Sequence, residues 1–277
     1  MGRKRYSLMI YVIVFFASVW QVGQKTQSSI SAGFTKQMEK LSYQLDYCKT
    51  YSPVFSPYST DDFQPVNTDV EPEEKTAYLT FDDGPSPRTA EILDILKKHS
   101  VPATFFVINA KEEYIPYMKR AAEEGHSIGV HSYSHEYREI YRSTDAYLDD
   151  FTKCLDYIYE NTGILPTIYR FPGGSVNNYN AATRKEIVAE MGRRGYIYFD
   201  WNVESGDSTK GAGSSEIYNN VINGCKGKKR AVIIMHDSAT KQSTVSALDD
   251  IITTLKADGW QFAPLTNEVK PMIFRMK

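Results

Sequence analysis

From Ala77 to Leu265, short apolar β-prone runs alternate with longer stretches whose apolar residues recur every three or four positions. The runs predict strands at Ala77–Phe81, Ala103–Ile108, Ser127–Val130, Thr167–Phe171, Tyr196–Trp201, Ala231–Met235 and Gln261–Leu265. The stretches between them predict helices. One starts near Pro87, with Ser86 as its N-cap, and carries Ile92, Ile95 and Leu96 on one face; another ends near Gly125. Thr144–Asn161 places Leu148, Phe151, Leu155 and Ile158 on a single stripe with Cys154 beside them, and further helices are expected at Ala181–Arg194, Ser215–Asn223 and Thr244–Ala257. Regular alternation of this kind argues for a parallel α/β sheet. Seven strands in roughly 190 residues fall short of the approximately 250 of a complete eight-fold barrel, so the pattern predicts a distorted, incomplete (β/α) barrel of about seven parallel strands.

Upstream the pattern is different. The basic group Gly2-Arg3-Lys4-Arg5 precedes an uncharged apolar run, Ser7–Val22. A positive flank before a hydrophobic segment reads as an export signal that leaves its basic end in the cytoplasm. The segment is either a cleaved signal peptide or an uncleaved transmembrane anchor. No small-residue cleavage site follows it, which favours the anchor. Residues 23–74 are rich in Gln, Ser, Thr, Pro and acids, and within them Phe34, Met38, Leu41, Leu45 and Cys48 mark a short amphipathic helix. The expected organisation is therefore an anchor or signal at 1–22, a stalk at 23–74, a catalytic domain at 75–267 and a poorly ordered tail at 268–277, with the domain on the extracytoplasmic side of a membrane.

Composition narrows the function. Thirty-two Lys and Arg against 34 Asp and Glu leave a net charge of −2, so nothing calls for nucleic acid as a partner. Three cysteines (Cys48, Cys154, Cys225) lack the close spacings of a zinc ribbon or redox motif. No Gly-rich phosphate loop follows the first strand. The basic cluster Lys226, Lys228, Lys229, Arg230 reads as a solvated turn, and His99 and His126 as capping or packing residues.

The chemistry-bearing residues gather where strands end: Asp82-Asp83-Gly84-Pro85, His131-Ser132-Tyr133-Ser134-His135, Arg170-Phe171-Pro172-Gly173-Gly174, Asp200-Trp201 and His236-Asp237. In an α/β barrel all these ends open on one face. Adjacent carboxylates do not both ionise freely without a cation or proton between them, although Asp-Asp-Gly also suits a plain turn. His131 and His135 are four apart, a spacing that places two rings together on a helical turn; with one carboxylate they make a His₂Asp set with open positions for a catalytic divalent ion.

These five motifs, in this order, resemble the polysaccharide deacetylases of carbohydrate esterase family 4, the NodB-homology domain. The resemblance covers about Lys75 to Leu265 and implies a distorted (β/α) barrel. It implies Asp83, His131 and His135 as ligands of one divalent ion, zinc ahead of cobalt, manganese or nickel. It makes Asp82 the general base, His236 the general acid, Asp200 the partner that orients His236, and Arg170 the residue that holds the base. The Gly173 N–H would face the oxyanion, and Trp201 and Ile234 would line the acetyl pocket. The expected reaction is removal of N-acetyl groups from N-acetylglucosamine residues of a cell-surface polysaccharide, peptidoglycan first among them. A chitooligosaccharide or exopolysaccharide deacetylase, a xylan O-acetyl esterase and a non-catalytic glycan-binding protein are the alternatives.

Overall fold

A computed structural model of the chain describes residues 74–275. The apolar run at 7–22, the stalk as far as residue 73 and the last two residues lie outside them. Among the described residues no helix is long and apolar enough to cross a membrane. The described strands are β1 (Thr76–Gly84), β2 (Thr104–Ile108), β3 (Ser127–Ser132), β4 (Ile168–Tyr169), β5 (Ile197–Tyr198), β6 (Val203–Glu204), β7 (Arg230–His236) and β8 (Gln261–Phe262). The described helices are α1 (Thr89–His99), α2 (Ile115–Glu123), α3 (Tyr137–Ile140), α4 (Thr144–Thr162), α5 (Arg184–Arg193), α6 (Ser214–Cys225) and α7 (Gln242–Ala257).

Every strand pair is parallel, in the order β5-β4-β3-β2-β1-β7-β6, with β8 added to β1. β1 is the organising strand. One of its edges pairs with β7 from Thr76 to Asp82; the other is shared by β2 near the top and β8 at Thr76 and Ala77. Covered on both faces, β1 reads as a continuous apolar run instead of an alternation, as buried parallel strands do. Tyr78, Phe106, Ile168, Phe199, Val232 and Leu265 form one core cluster. The amphipathic helices bury the stripes foreseen for them, among them Ile92 and Leu96 on α1 and Phe151, Leu155 and Ile158 on α4, with Cys154 fully enclosed. Ser143 starts α4 by accepting the Ala146 N–H, and Gly163 ends it in the left-handed region at φ 74°.

Three local expectations change. α1 begins at Thr89, two residues beyond Pro87, because residues 87 and 88 form a turn before it; Ser86 holds that turn, its hydroxyl accepting the Arg88 N–H at 2.9 Å and donating to Asp237 at 2.7 Å. A short β6 adds an eighth strand, pairing Val203 and Glu204 with Ile233 and Ile234. The C-terminal segment packs on the barrel instead of forming a loose tail. Among the described residues no pairing joins β5 to β6, so the barrel is open there. Residues 269–274 cover that seam. Val269 and Met272 pack on the core cluster, the Met272 carbonyl accepts the Asp200 N–H at 2.7 Å, and the Phe274 N–H donates to the Asp200 carboxylate at 2.7 Å. Lys270 adds its carbonyl, which accepts from Arg230 at 2.7 Å. Backbone groups exposed by an unclosed sheet need partners, and this segment supplies them. A chain ended after Val269 is expected to lose at least about 1.5–3 kcal/mol of stability from the charged Phe274–Asp200 hydrogen bond alone. A lower urea midpoint at unchanged slope would register the loss.

Candidate active site

Successive residues of a regular strand point to opposite faces, so Asp82 and Asp83 should not be able to share a site. A β-bulge resolves this. Opposite β1 the register moves from Asp82↔Phe106 to Gly84↔Val107, leaving Asp83 unpaired, with φ 71°. A second irregularity lies between β2 and β3, where Val107 faces Val130 and Ile108 faces Ser132, so His131 is passed over. Bulges re-aim side chains next to sites, and here the two of them turn Asp83 and His131 toward each other. His131 Nε2 stands 3.5 Å from Asp83 Oδ1 and 3.9 Å from Asp82 Oδ2, and His135 Nε2 lies 3.3 Å from Asp83 Oδ1.

The two histidines are not on a helical turn, contrary to their spacing. His131 belongs to the end of β3, and His135 is in the following turn with φ 57°. Asp150, from α4, builds that turn: its carboxylate accepts from Ser132 Oγ at 2.5 Å, from the Tyr133 N–H at 2.8 Å and from the Ser134 N–H at 2.9 Å. Ser132 Oγ in turn accepts the His135 N–H at 2.9 Å. Asp150 went unnoticed in the sequence because a single acid on a helix has no distinguishing neighbour there.

Asp83, His131 and His135 offer ligand atoms that all lie within 4.8 Å of one another. His131 Nδ1 faces the Arg170 carbonyl at 2.9 Å and so carries the proton, which leaves a lone pair on Nε2 directed at Asp83. Burial, with His135 and Arg170 acting the same way and Asp83 opposing, holds the His131 pKa down to about 3, so the ring stays neutral. Asp83 Oδ1 is buried without a hydrogen-bond partner. Lone pairs converging on an orphaned carboxylate oxygen fit a divalent cation and little else.

Arg170, at the end of β4, is fully buried. It donates from Nη1 to Thr80 Oγ1 at 2.6 Å and to Asp82 Oδ1 at 3.0 Å, from Nε to the Phe199 carbonyl at 2.8 Å, and from Nη2 to the Asp200 carbonyl at 3.2 Å. Burial nevertheless outweighs the Arg170 charge and raises the Asp82 pKa. His236 stands on β7 at the register level of Asp82.

The orienting partner of His236 is Asp207 and not Asp200. Asp207 Oδ1 holds His236 Nδ1 at 2.7 Å, while Oδ2 accepts the His236 N–H at 2.7 Å and Thr244 Oγ1 at 2.8 Å. Burial lowers the His236 pKa, but the Asp207 hydrogen bond and charge, joined by Asp82 and Asp83, raise it above its ordinary value. Asp200 is turned to the other side of its strand end. There it accepts from Ser175 N–H at 2.8 Å, from Ser175 Oγ at 2.6 Å and from Phe274 N–H, so it fixes the Gly173–Ser175 loop. Asp207 sits in a loop after β6 whose course over the rim could not be read from the chain, whereas Asp200 falls within the predicted strand Tyr196–Trp201 and lies two residues past the end of β5.

In that loop Gly174 N–H closes a turn onto the Phe171 carbonyl at 2.8 Å, with Pro172 and Gly173 at the corner and Gly173 at φ 73°. This is type II geometry, which leaves the Gly173 N–H out of the turn. Trp201 lies 4.8 Å from Phe274 and 5.7 Å from the Arg170 guanidinium, ring centre to ring or charge, and Ile234 precedes His236 by two positions on the same face of β7.

A sequence profile of the polysaccharide deacetylase family matches residues 69–195. A peptidoglycan-N-acetylglucosamine deacetylase of Bacillus cereus is 35% identical over 196 residues, 69% of each chain. The chain belongs to the polysaccharide deacetylase family. Among solved structures, the catalytic domain of the Eubacterium rectale peptidoglycan N-acetylglucosamine deacetylase is 37% identical with a TM-score of 0.72, covering 75% of this chain and 96% of that one. A Streptococcus mutans CE4 esterase has a TM-score of 0.63 at 28% identity, covering 70% and 87%. The polysaccharide deacetylase fold thus extends across the whole described barrel.

For this polysaccharide deacetylase, Asp150→Ala leaves the turn of His135 without its acceptor. Affinity for Zn²⁺ or Co²⁺, measured by calorimetry, should fall about 10–100-fold while the fold persists in circular dichroism.

Proposed function

We propose that this chain hydrolyses the acetamide of N-acetylglucosamine units in a cell-surface polysaccharide, peptidoglycan first, releasing acetate and leaving a glucosamine. The observation that carries the reading is the shared rim. A buried carboxylate, Asp82, and a carboxylate-paired imidazole, His236, stand at one level on adjacent strands beside the Asp83, His131 and His135 set. The relatives in Bacillus cereus and Eubacterium rectale, named for this activity, support the substrate.

Asp83, His131 and His135 would hold a divalent ion, zinc ahead of cobalt, manganese or nickel, which would supply Lewis acidity toward the acetamide carbonyl and toward water. Asp82 takes the proton of the attacking water. Its raised pKa makes it a stronger base than an ordinary carboxylate, and Arg170 fixes the oxygen that does not react. The Gly173 N–H meets the oxygen on which negative charge develops. As the C–N bond breaks, His236 protonates the leaving nitrogen, because an amine leaves poorly as an anion. Asp207 favours the protonated form of that imidazole and aims it. The apolar run at 7–22 is read as a membrane anchor that holds the domain on the side where such a polymer lies.

With added Zn²⁺ or Co²⁺ the protein should release acetate from N-acetylated peptidoglycan or from chitooligosaccharides, and a chelator should stop it. Asp82→Asn is expected to lower kcat about 10²–10⁴-fold. Bound glycan without any acetate release would instead mark a binding protein. The pH profile separates the two aspartates. The protonated His236 needed for amine departure persists up to its raised pKa, so activity falls as pH rises through that value. Asp207→Asn removes the carboxylate charge beside the ring, leaving only Asp82 and Asp83 to raise its pKa by charge, and should move the alkaline limb to lower pH. Asp200→Asn, whose side chain does not touch His236, should leave the limb in place.

A further inference from the structure

Three large hydrophobic side chains are exposed among the described residues: Leu165, Val176 and Tyr179. Two of them belong to the single loop 175–180 that leads away from Gly173. That loop is rigid. Asn177 donates to the carbonyls of Pro172 at 3.2 Å and Gly174 at 3.0 Å, Asn180 donates to Gly174 at 3.1 Å, and Asn177 Oδ1 accepts the Tyr179 N–H at 2.8 Å. Tyr179 is therefore held out in water, 51% exposed, by a hydrogen-bonded scaffold instead of being left there by a slack one.

Its ring does not stand alone. Tyr179 lies 5.2 Å from Tyr137, and Tyr137 lies 5.2 Å from the ring of His135. A Cβ placed on Gly173 would come within 2.8 Å of the Tyr137 ring and 3.1 Å of its hydroxyl. Tyr137 thus fills the side-chain space above the turn that presents the Gly173 N–H. A row of aromatic rings runs from His135, over the Gly173 turn and out to solvent, with Tyr137 edge-on to His135 at 85° and Tyr179 tilted by 58° from Tyr137. Half-exposed tyrosines offer a broad apolar face and a polar tip at small entropic cost, which suits a partner with C–H faces and hydroxyl edges. A pyranose ring is such a partner.

We propose that Tyr137 and Tyr179 form a sugar-stacking platform. Tyr137 walls the unit whose acetamide reacts, and Tyr179 carries the neighbouring unit of the same glycan. The platform rests on the reading of this site as polysaccharide-directed. It makes the enzyme prefer oligomers to single sugars, because only an oligomer reaches Tyr179.

The test uses the zinc-loaded protein and a tetramer of N-acetylglucosamine, with binding followed by calorimetry and acetate release by kinetics. Tyr179→Ala should weaken tetramer binding about tenfold and raise KM by a similar factor with little change in kcat, the pattern of lost uniform binding. Metal content and melting temperature should hold, since the side chain supports no core. Tyr137→Leu, which keeps bulk above Gly173, should also weaken binding, and Tyr137→Phe should restore most of it. Tetramer affinity equal to the unaltered protein in both Tyr179→Ala and Tyr137→Leu overturns the platform, as does failure of the unaltered protein to bind the tetramer. Binding that these substitutions weaken, with no acetate released by any form, defeats the deacetylase reading and leaves the platform standing. Acetate release at unchanged KM in both variants does the reverse.

Discussion

A charge buried in the middle of the barrel dictates much of what surrounds it. Arg170 has no exposure, and its guanidinium lies over the face of Phe106 at 4.4 Å. A cation in that position survives only if its donors are satisfied and an anion is near. Thr80 and Asp82 from β1 and the carbonyls of Phe199 and Asp200 past β5 meet those demands. Satisfying one side chain therefore ties β1, β4 and the chain beyond β5 together at the same end. The Arg170 carbonyl also fixes the tautomer of His131, so the residue that holds Asp82 orients His131 as well.

Around that anchor the titratable groups are driven apart in character. His131 is kept neutral by burial, which frees a lone pair for a cation, while Asp207 raises the His236 pKa against its burial. Two imidazoles on one rim thus have opposite assignments, and the difference lies in the second partner of each ring: a carbonyl for one, a carboxylate for the other. Asp237 is a related case. Enclosed, it receives hydroxyl bonds from Ser86 and Thr89, and burial pushes its pKa up to about 6 against them. Its carboxylate lies so close to Gly84 that a Cβ there would meet it, which explains a glycine directly after the bulged Asp83.

The open seam between β5 and β6 is as much a part of the site as the strands. Asp200 and Trp201 lie in it, and the segment through Met272 and Phe274 closes over both. A Cβ at Gly174 would strike Phe274 and Trp201 together, so the Gly173 turn, the seam and the C-terminal segment form one packed unit. That arrangement converts a missing barrel unit into a support for the loop that bears Gly173.

Hydrophobic spacing and strand-end motifs were enough to determine the α/β alternation, the parallel incomplete barrel and the gathering of Asp82, Asp83, His131, His135, Arg170 and His236 on one rim. Each of these follows from local order along the chain: a side chain at a strand end has its place once the strand has one. Tertiary structure alone decided what depends on contacts between distant segments. The bulges that bring Asp82 and Asp83 to one side require register between strands, which no single strand encodes. The exchange of Asp200 for Asp207 turns on how a loop crosses the rim, and the roles of Asp150 and residues 269–274 turn on packing with elements far along the chain. Local pattern fixes which groups are present at the rim; long-range packing fixes which of them touch, because hydrogen bonds are settled within tenths of an ångström and sequence spacing is not.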